Sequence, residues 1–313
     1  MIKNLMLFLI LILMVLISIA FFTLLERKIL GYLHIRKGPN KTGFEGLFQP
    51  FSDAVKLFSK EMNLMFYMNT FIHIMSPILS FIMMMMMWMI FFFKSNIMNL
   101  NLSVLFFICI SSMGSYSILL GGWSSNSKYA LIGAYRGFAQ IISYEVSMAM
   151  ILISISLMTG SFNFKDFIIL QENNFLMFSM FLVFMIWMLT SLAETNRTPF
   201  DLCEGESELV SGFNIEYGSW LFAMIFMSEY GMIMIISFLS IYLFMGKFMI
   251  NFFALILMMI FIIIRGTYVR YRYDKLMMLA WKIFLPQTIS FLFFFAFLTS
   301  LYLNSFCINF WNC

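Results

Sequence analysis

The chain has 313 residues, of which 62% are hydrophobic and only 11% are charged. A soluble globular domain has about 45–50% apolar and about 25% charged residues, so this composition excludes an ordinary soluble protein. The formal net charge is only +4, and we expect no nucleic-acid partner. Repeated runs of about 20 apolar residues instead predict an all-α, polytopic membrane protein.

Eight transmembrane helices are predicted, and they make up a single transmembrane domain over residues 1–313. Their approximate ranges are 4–25, 71–93, 102–122, 137–160, 175–193, 218–245, 249–266 and 287–304. If the spans alternate, the longer connections all lie on one side of the membrane: 26–70, 123–136, 194–217 and 267–286. Fifteen of the 19 Lys and Arg residues fall on that side, which marks it as the inner one. Both termini are therefore expected to face the outer compartment.

The first inner connection contains a further predicted helix at residues 46–60. Its apolar residues recur at steps of three and four, and its polar residues fall on the other faces. The apolar set is Leu47, Phe51, Ala54, Val55 and Phe58. This pattern favours an interfacial amphipathic helix on the membrane surface, although a helix packed on a partner protein would show the same pattern.

Two glutamates lie deep inside predicted spans. Glu145 follows Arg136 by nine positions and Glu229 follows Gly218 by eleven. At about 1.5 Å per residue these positions are about 13 Å and about 16 Å from the inner face, near the middle of a core about 30 Å thick. An ionised carboxylate at that depth is costly without partners or water, which favours a group that takes up and releases protons. The alternative is a protonated side chain that hydrogen-bonds one helix to another.

An acidic inner loop spans residues 194–217 and concentrates six carboxylates in a chain poor in charge. They are Glu194, Asp201, Glu204, Glu206, Glu208 and Glu216. Crowded carboxylates titrate as a coupled set, and this favours a role in handling protons or cations. A calcium loop would require a different register of acids, which is absent, and a merely solvated acidic loop is the other alternative.

Basic residues flank the inner ends of spans one and seven. They include Arg27, Arg36, Arg265, Arg270 and Arg272. Topogenic charge and contact with phospholipid head groups would account for most of them. The functional alternative is pairing with the acidic loop, or a polar lining for a ligand entrance.

The cysteines and histidines do not form a recognisable ligand set. The four cysteines have no CxxC spacing, and His34 and His73 are too far apart for a bis-His haem pair. We therefore expect no metal site and no electron-transfer centre in this chain alone.

Six segments in chain order identify a resemblance. They are LLERKILGYLHIRKGPNKTG (24–43), QPFSDAVKLFSKE (49–61), GGWSSNSKYALIGAYR (121–136), QIISYEVS (140–147), SLAETNRTPFDLCEGESELVSGFNIEY (191–217) and RYRYDKLMMLAWK (270–282). Together they resemble the subunit 1 family of NADH:ubiquinone oxidoreductase, the respiratory complex I of the mitochondrial inner membrane. The Met- and Phe-rich composition is similar to that of insect mitochondrial members.

The resemblance implies a subunit of a proton-translocating electron-transport enzyme. Its expected partners are hydrophilic quinone-module subunits on the matrix side, neighbouring membrane-arm subunits and phospholipids, and its substrate is ubiquinone, held in a tunnel entered from the membrane. The termini would face the intermembrane space. The six loop acids, Glu145 and Glu229 match an acidic path that relays quinone reduction to the pumps. Positions matching the quinone route are Arg27, Arg36, Asp53, Phe226 and Arg272.

Three alternatives to this function remain open from the sequence. A stand-alone cation or proton transporter would use the same acidic path without quinone. A related redox-driven complex would use the same fold with another acceptor, since fold alone does not determine function. A purely structural anchor subunit would carry the acids without any role in turnover.

Overall fold

The structure, a computed structural model, describes residues 2–63, 65–91, 101–172, 175–203, 205, 212–246 and 250–311. Within these ranges the regular structure is entirely helical. The helices are α1 (Ile2–Leu33), α2 (Gln49–Ser59), α3 (Thr70–Trp88), α4 (Ser103–Ser124), α5 (Lys128–Thr159), α6 (Phe164–Leu170), α7 (Leu176–Ser179), α8 (Phe181–Glu194), α9 (Ser219–Phe244), α10 (Ile250–Thr267), α11 (Tyr273–Met278) and α12 (Leu285–Trp311). A π-helical turn at Leu279–Phe284 joins α11 to α12, and short 3-10 turns lie at Phe44–Gly46, Met89–Phe91 and Gly212–Glu216.

Seven helical segments are long and apolar enough to cross a membrane, which agrees with the predicted class of protein. They are α1, α3, α4, α5, α9, α10 and the continuous segment Tyr273–Leu301. The fifth predicted span is different, because the chain leaves helical geometry at Met180 (φ −118°, ψ 42°), between α7 and α8. At 14 residues, α8 is about 21 Å long, shorter than a hydrocarbon core of about 30 Å.

Helices α5 and α9 form the centre of the bundle. Helix α5 packs against α4, α8 and α12, while α9 packs against α3, α10, α1 and α2. Small residues allow the close approach of α4 and α5: a Cβ atom added at Gly122 would lie 2.2 Å from the Cβ of Ala134. Gly160 ends α5 in the left-handed conformation (φ 69°), and its N–H donates to the Ser156 carbonyl at 2.9 Å.

Helix α1 extends past its apolar segment, and helix α2 packs beside it. Helix α1 continues to Leu33, so the charged residues that follow the apolar run of the first span are still helical. Helix α2 covers most of the range 46–60 and packs on α1 and α9, with the rings of Phe51 and Phe21 6.1 Å apart, edge to face. Its apolar side chains Phe51, Val55 and Phe58 remain exposed.

Candidate functional site

A cluster of charged side chains lies where α1, α9 and α10 meet the segment that follows α8. Glu26 of α1 is only 5% exposed. It accepts a hydrogen bond from Arg265 of α10 and another, 2.5 Å long, from the phenol of Tyr230 on α9. Arg197 lies 3.9 Å from the Glu26 carboxylate and 3.8 Å from that of Glu229, so one guanidinium group is shared between two acids.

The cluster stabilises charges that would be costly to bury alone. The Arg197 guanidinium carbon lies 4.4 Å from the centroid of the Tyr230 ring, a cation–π contact that adds to its ion pairs. Removing two opposite charges from water is repaid only when their geometry and hydrogen bonds are good. Glu26 meets this requirement, because two arginines and one phenol surround its carboxylate.

A serine-lined cavity of about 100 Å³ lies between α3, α4, α5 and α9. Glu194 and Glu229 both line it, together with hydroxyl-bearing side chains. The hydroxyl groups belong to Ser76, Ser80, Ser111, Ser115, Ser117, Ser228, Thr195 and Tyr217. One water requires about 10–15 Å³ of such volume and two to four polar partners, so this cavity has room for several.

Both carboxyl oxygens of Glu194 are buried and have no hydrogen-bond partner among the described residues. The same holds for Oε1 of Glu145 on α5. Glu145 does not line the cavity, but it is close enough to Glu194 for the two carboxyl groups to interact electrostatically. Carboxyl groups in this situation are expected to bind water or a proton, because burying an unsatisfied carboxylate is strongly unfavourable.

The beginning of the acidic loop is held in place from several sides. Gln140 of α5 donates hydrogen bonds to the carbonyl oxygens of Ala193 (2.9 Å) and Phe200 (2.7 Å). Asp201 accepts a hydrogen bond of 3.0 Å from Arg270. This cation therefore pairs with the acidic loop, which is one of the two functional interpretations that the sequence suggested for the basic residues. The ring of Phe200 stacks on that of Tyr271, with centroids 5.7 Å apart.

The end of the acidic loop packs against α3. Glu216 is half-buried in the 3-10 turn Gly212–Glu216. The next residue, Tyr217, stacks on His73 at 4.1 Å and its phenol lies 2.7 Å from the Ser76 hydroxyl. Burial raises the pKa of Tyr217, so its phenol stays neutral. The remaining predicted loop acids, Glu204, Glu206 and Glu208, lie outside the described residues.

The residues that match the quinone route are distributed over three places. Arg27 of α1 and Asp53 of α2 form an ion pair at 2.5 Å, and Arg36 lines an opening of about 490 Å³ beside Arg27. Phe226 is half-buried on α9, with its ring centroid 4.4 Å from that of Phe222. Arg272 is exposed and pairs with its neighbour Asp274 at 3.1 Å.

Sequence reasoning missed three members of the charge cluster, Glu26, Arg197 and Tyr230. Glu26 stands beside Arg27 and Lys28, and such a triplet resembles ordinary charge at the end of a span. A usable signal was present, because Ile19, Phe22 and Glu26 are spaced by three and four residues and all three are buried on one face of α1. A charge that continues an apolar face is more informative than one on a polar face.

The described residues contain no group of three or more His, Cys, Asp or Glu side chains that could hold a metal ion.

The family model described as NADH dehydrogenase matches residues 6–296. The chain is 67% identical over all 313 residues to NADH-ubiquinone oxidoreductase chain 1 of Rhipicephalus sanguineus, which covers 100% of both chains. It is 49% identical to the protein of that name from Anopheles gambiae (92% of this chain, 93% of the relative) and 48% identical to that from Locusta migratoria (95% and 96%).

Proposed function

The chain belongs to the NADH dehydrogenase family, and we propose that it is a core membrane subunit of a proton-translocating NADH:ubiquinone oxidoreductase. The family that the sequence motifs indicated is thereby confirmed. The proposed location is the mitochondrial inner membrane. Flavin and iron–sulfur chemistry would belong to other subunits of the assembly, and this chain would contribute to the site where ubiquinone is reduced.

The proposal includes eight membrane crossings. Seven of them are the long apolar segments, and the remaining one, fifth in chain order, consists of the short α7 and helix α8. The break at Met180 then lies inside the membrane. Both termini then face the intermembrane space, and the charge cluster faces the matrix side. Helix α2 lies on the matrix-side membrane surface, where its exposed side chains Val55 and Phe58 contact lipid.

The observation that carries the proposal is the cavity shared by Glu194 and Glu229. It connects the beginning of the acidic loop with a carboxylate inside α9. Its serine hydroxyls donate to carbonyl groups of their own helices and can accept hydrogen bonds from water. Protons can therefore be exchanged between the two carboxyl groups through water. Glu145 contributes through its electrostatic interaction with Glu194, and Glu204, Glu206, Glu208 and Glu216 extend the relay along the loop.

Arg197 provides the link between this cavity and the quinone route. Its guanidinium group faces Glu26 at 3.9 Å and Glu229 at 3.8 Å, and Arg27, the neighbour of Glu26, is paired with Asp53. At an effective dielectric constant of about 20, each of the two Arg197 pairs corresponds to about 4 kcal/mol of Coulomb energy. A change of charge beside Glu26 therefore changes how strongly Arg197 stabilises an ionised Glu229.

The residues around α1, α2 and α9 fit a narrow path for ubiquinone. Aromatic rings of Phe21, Phe51 and Phe226 suit an isoprenoid tail, while the pair Arg27–Asp53 and the cation Arg36 provide polar contacts for a quinone head group. Reduction of ubiquinone to ubiquinol takes up two protons and two electrons. In this proposal the electrons come from partner subunits, and the acidic path responds to the change of charge.

The test replaces Glu229 and Glu145 with glutamine, one at a time, in the assembled complex in sealed vesicles. We expect the protons pumped per quinone reduced to fall in both variants while assembly persists. Glu172→Gln is the control, because Glu172 is an exposed carboxylate outside the cluster. Full pumping by assembled Glu229→Gln and Glu145→Gln complexes would contradict the relay. If a cross-link between α1 and α2 closes the proposed ubiquinone path and quinone reduction still proceeds, the path is contradicted.

A further inference from the structure

We propose that an apolar groove between α8 and α10 is a binding site for one acyl chain of an anionic phospholipid. The groove has a volume of about 680 Å³ and lies between two helices that both pack on α9. Buried side chains form its floor, among them Phe184, Leu192 and Leu257. Partly exposed side chains such as Leu189 and Ile256 form its walls.

The length of the groove suits an acyl chain. It follows α10 from Phe253 and ends at Tyr268, one residue past the helix, and these fifteen steps correspond to about 22 Å at 1.5 Å per residue. A hydrocarbon core is about 30 Å thick, so one leaflet provides about 15 Å, and an acyl chain can lie along the groove over that depth.

The lining also suits a flexible hydrocarbon. Four methionines, Met177, Met185, Met188 and Met245, contribute to it. Unbranched thioether side chains adapt to irregular apolar shapes, and they can follow an acyl chain that bends. The polar share of the lining is small and lies at one end, with the phenols of Tyr268 and Tyr271. Tyrosine is typical of the membrane–water interface, where it contacts head groups.

The charge at that end determines the head group. The residues after the groove carry Arg270, Arg272 and Lys275 against one acid, Asp274. Arg270 is bound to Asp201, so Arg272 and Lys275, two cations, against Asp274, one anion, leave one net positive charge. Basic residues beside a groove between membrane helices bind anionic lipid head groups. We therefore infer a phospholipid with net negative charge.

An occupied groove would support the acidic loop from its outer side. Pro199 and Phe200 both line the groove, and the Tyr271 N–H donates to the Pro199 carbonyl at 3.0 Å. On the inner side, the Phe200 carbonyl accepts a hydrogen bond from the Gln140 side chain. A bound chain therefore contacts the turn that positions Asp201, although it touches none of the acids. This inference does not depend on the proposed proton relay.

The test uses the assembled complex and a phosphatidylglycerol probe with a photoreactive diazirine in the acyl chain, followed by mass spectrometry of the labelled peptides. We expect labels on α8 and α10 at the groove residues. A matched phosphatidylcholine probe should label about fivefold less, the preference that one basic contact at the surface gives. Equal labelling by both probes would overturn the choice of head group.

Tryptophan substitutions distinguish the groove from the general lipid surface. Leu189→Trp and Ile256→Trp fill it from opposite walls and should abolish most of the labelling. The controls, Leu182→Trp and Leu255→Trp, lie on the same helices at exposed positions outside the groove and should leave labelling unchanged. If the groove variants fail to assemble, competition with unlabelled phosphatidylglycerol replaces them. Labelling that resists both filling and competition, or a cross-link from Ile256 to another subunit, would overturn the proposal.

Discussion

Neutralising Glu26 is the sharpest test of the charge cluster. Glu26→Gln keeps the shape of the side chain and an acceptor for the Tyr230 phenol, but it removes the anion between Arg197 and Arg265. We expect a large loss of stability, because the side chains of Glu26 and Arg197 are only 7% and 10% exposed. Neither group can recover hydration without local opening of the bundle.

The magnitude follows from the geometry. At a separation of 3.9 Å and an effective dielectric constant of about 20, the Arg197 pair corresponds to about 4 kcal/mol. The Arg265 side chain is 36% exposed, so it can turn towards water and its share is discounted for solvent screening. Breaking one partner of a buried pair costs about 3–5 kcal/mol, which agrees with this value.

The assay is the rate of irreversible thermal inactivation of quinone reductase activity in the assembled complex, because the stability of such an assembly is a rate. If the activation free energy of inactivation falls by only about 1.4 kcal/mol of this loss, inactivation becomes about tenfold faster. Glu172→Gln is the matched control and should stay at the wild-type rate. The double variant Glu26→Gln/Arg197→Gln should lose less stability than the two single variants added together, because the buried cation that Glu26→Gln leaves without this partner is gone. A wild-type rate in Glu26→Gln, or strictly additive losses in the double variant, would refute the reasoning.

Three further predictions concern the packing around the acidic loop. Gly137→Ala should cost about 1–3 kcal/mol of stability in a thermal inactivation assay, because the new Cβ atom would lie 1.8 Å from the sulfur of Cys203. The control, Gly114→Ala, places its Cβ atom where no atom lies within 4 Å, so it should be neutral or stabilising by up to about 1 kcal/mol. Equal effects of the two substitutions would contradict this packing. Asp201→Asn and Arg270→Gln should show a coupling free energy of about 0.5–3 kcal/mol in a double-mutant cycle, whereas no coupling would mean that their contact at 3.0 Å contributes nothing. Tyr217→Phe should lower stability by about 0.5–1.5 kcal/mol, because the hydrogen bond to Ser76 is missing. In a Ser76→Ala background, Tyr217→Phe should have little further effect on stability.

Several features of the site could be predicted from the sequence. The positions of Glu145 and Glu229, well inside α5 and α9 and half-buried, follow from counting residues into an apolar span, because helix rise converts sequence distance into distance along the helix. The pairing of Arg270 with an acid of the loop was one of the options that charge alone suggested, and the structure selects it. The break at Met180 has no such signal, because the apolar run continues through it without Pro or Gly.

By itself, the sequence determined the class of protein and the family, because these depend on composition and motif order. The side of the membrane on which the charges lie stays a prediction from the distribution of Lys and Arg. Only the tertiary structure decided which carboxylates share partners. Glu26 and Glu229 are 203 positions apart, yet they face the same Arg197 guanidinium because α1, α9 and the segment after α8 converge there. Rotation of each helix about its axis sets such contacts, and that rotation is determined by packing between helices.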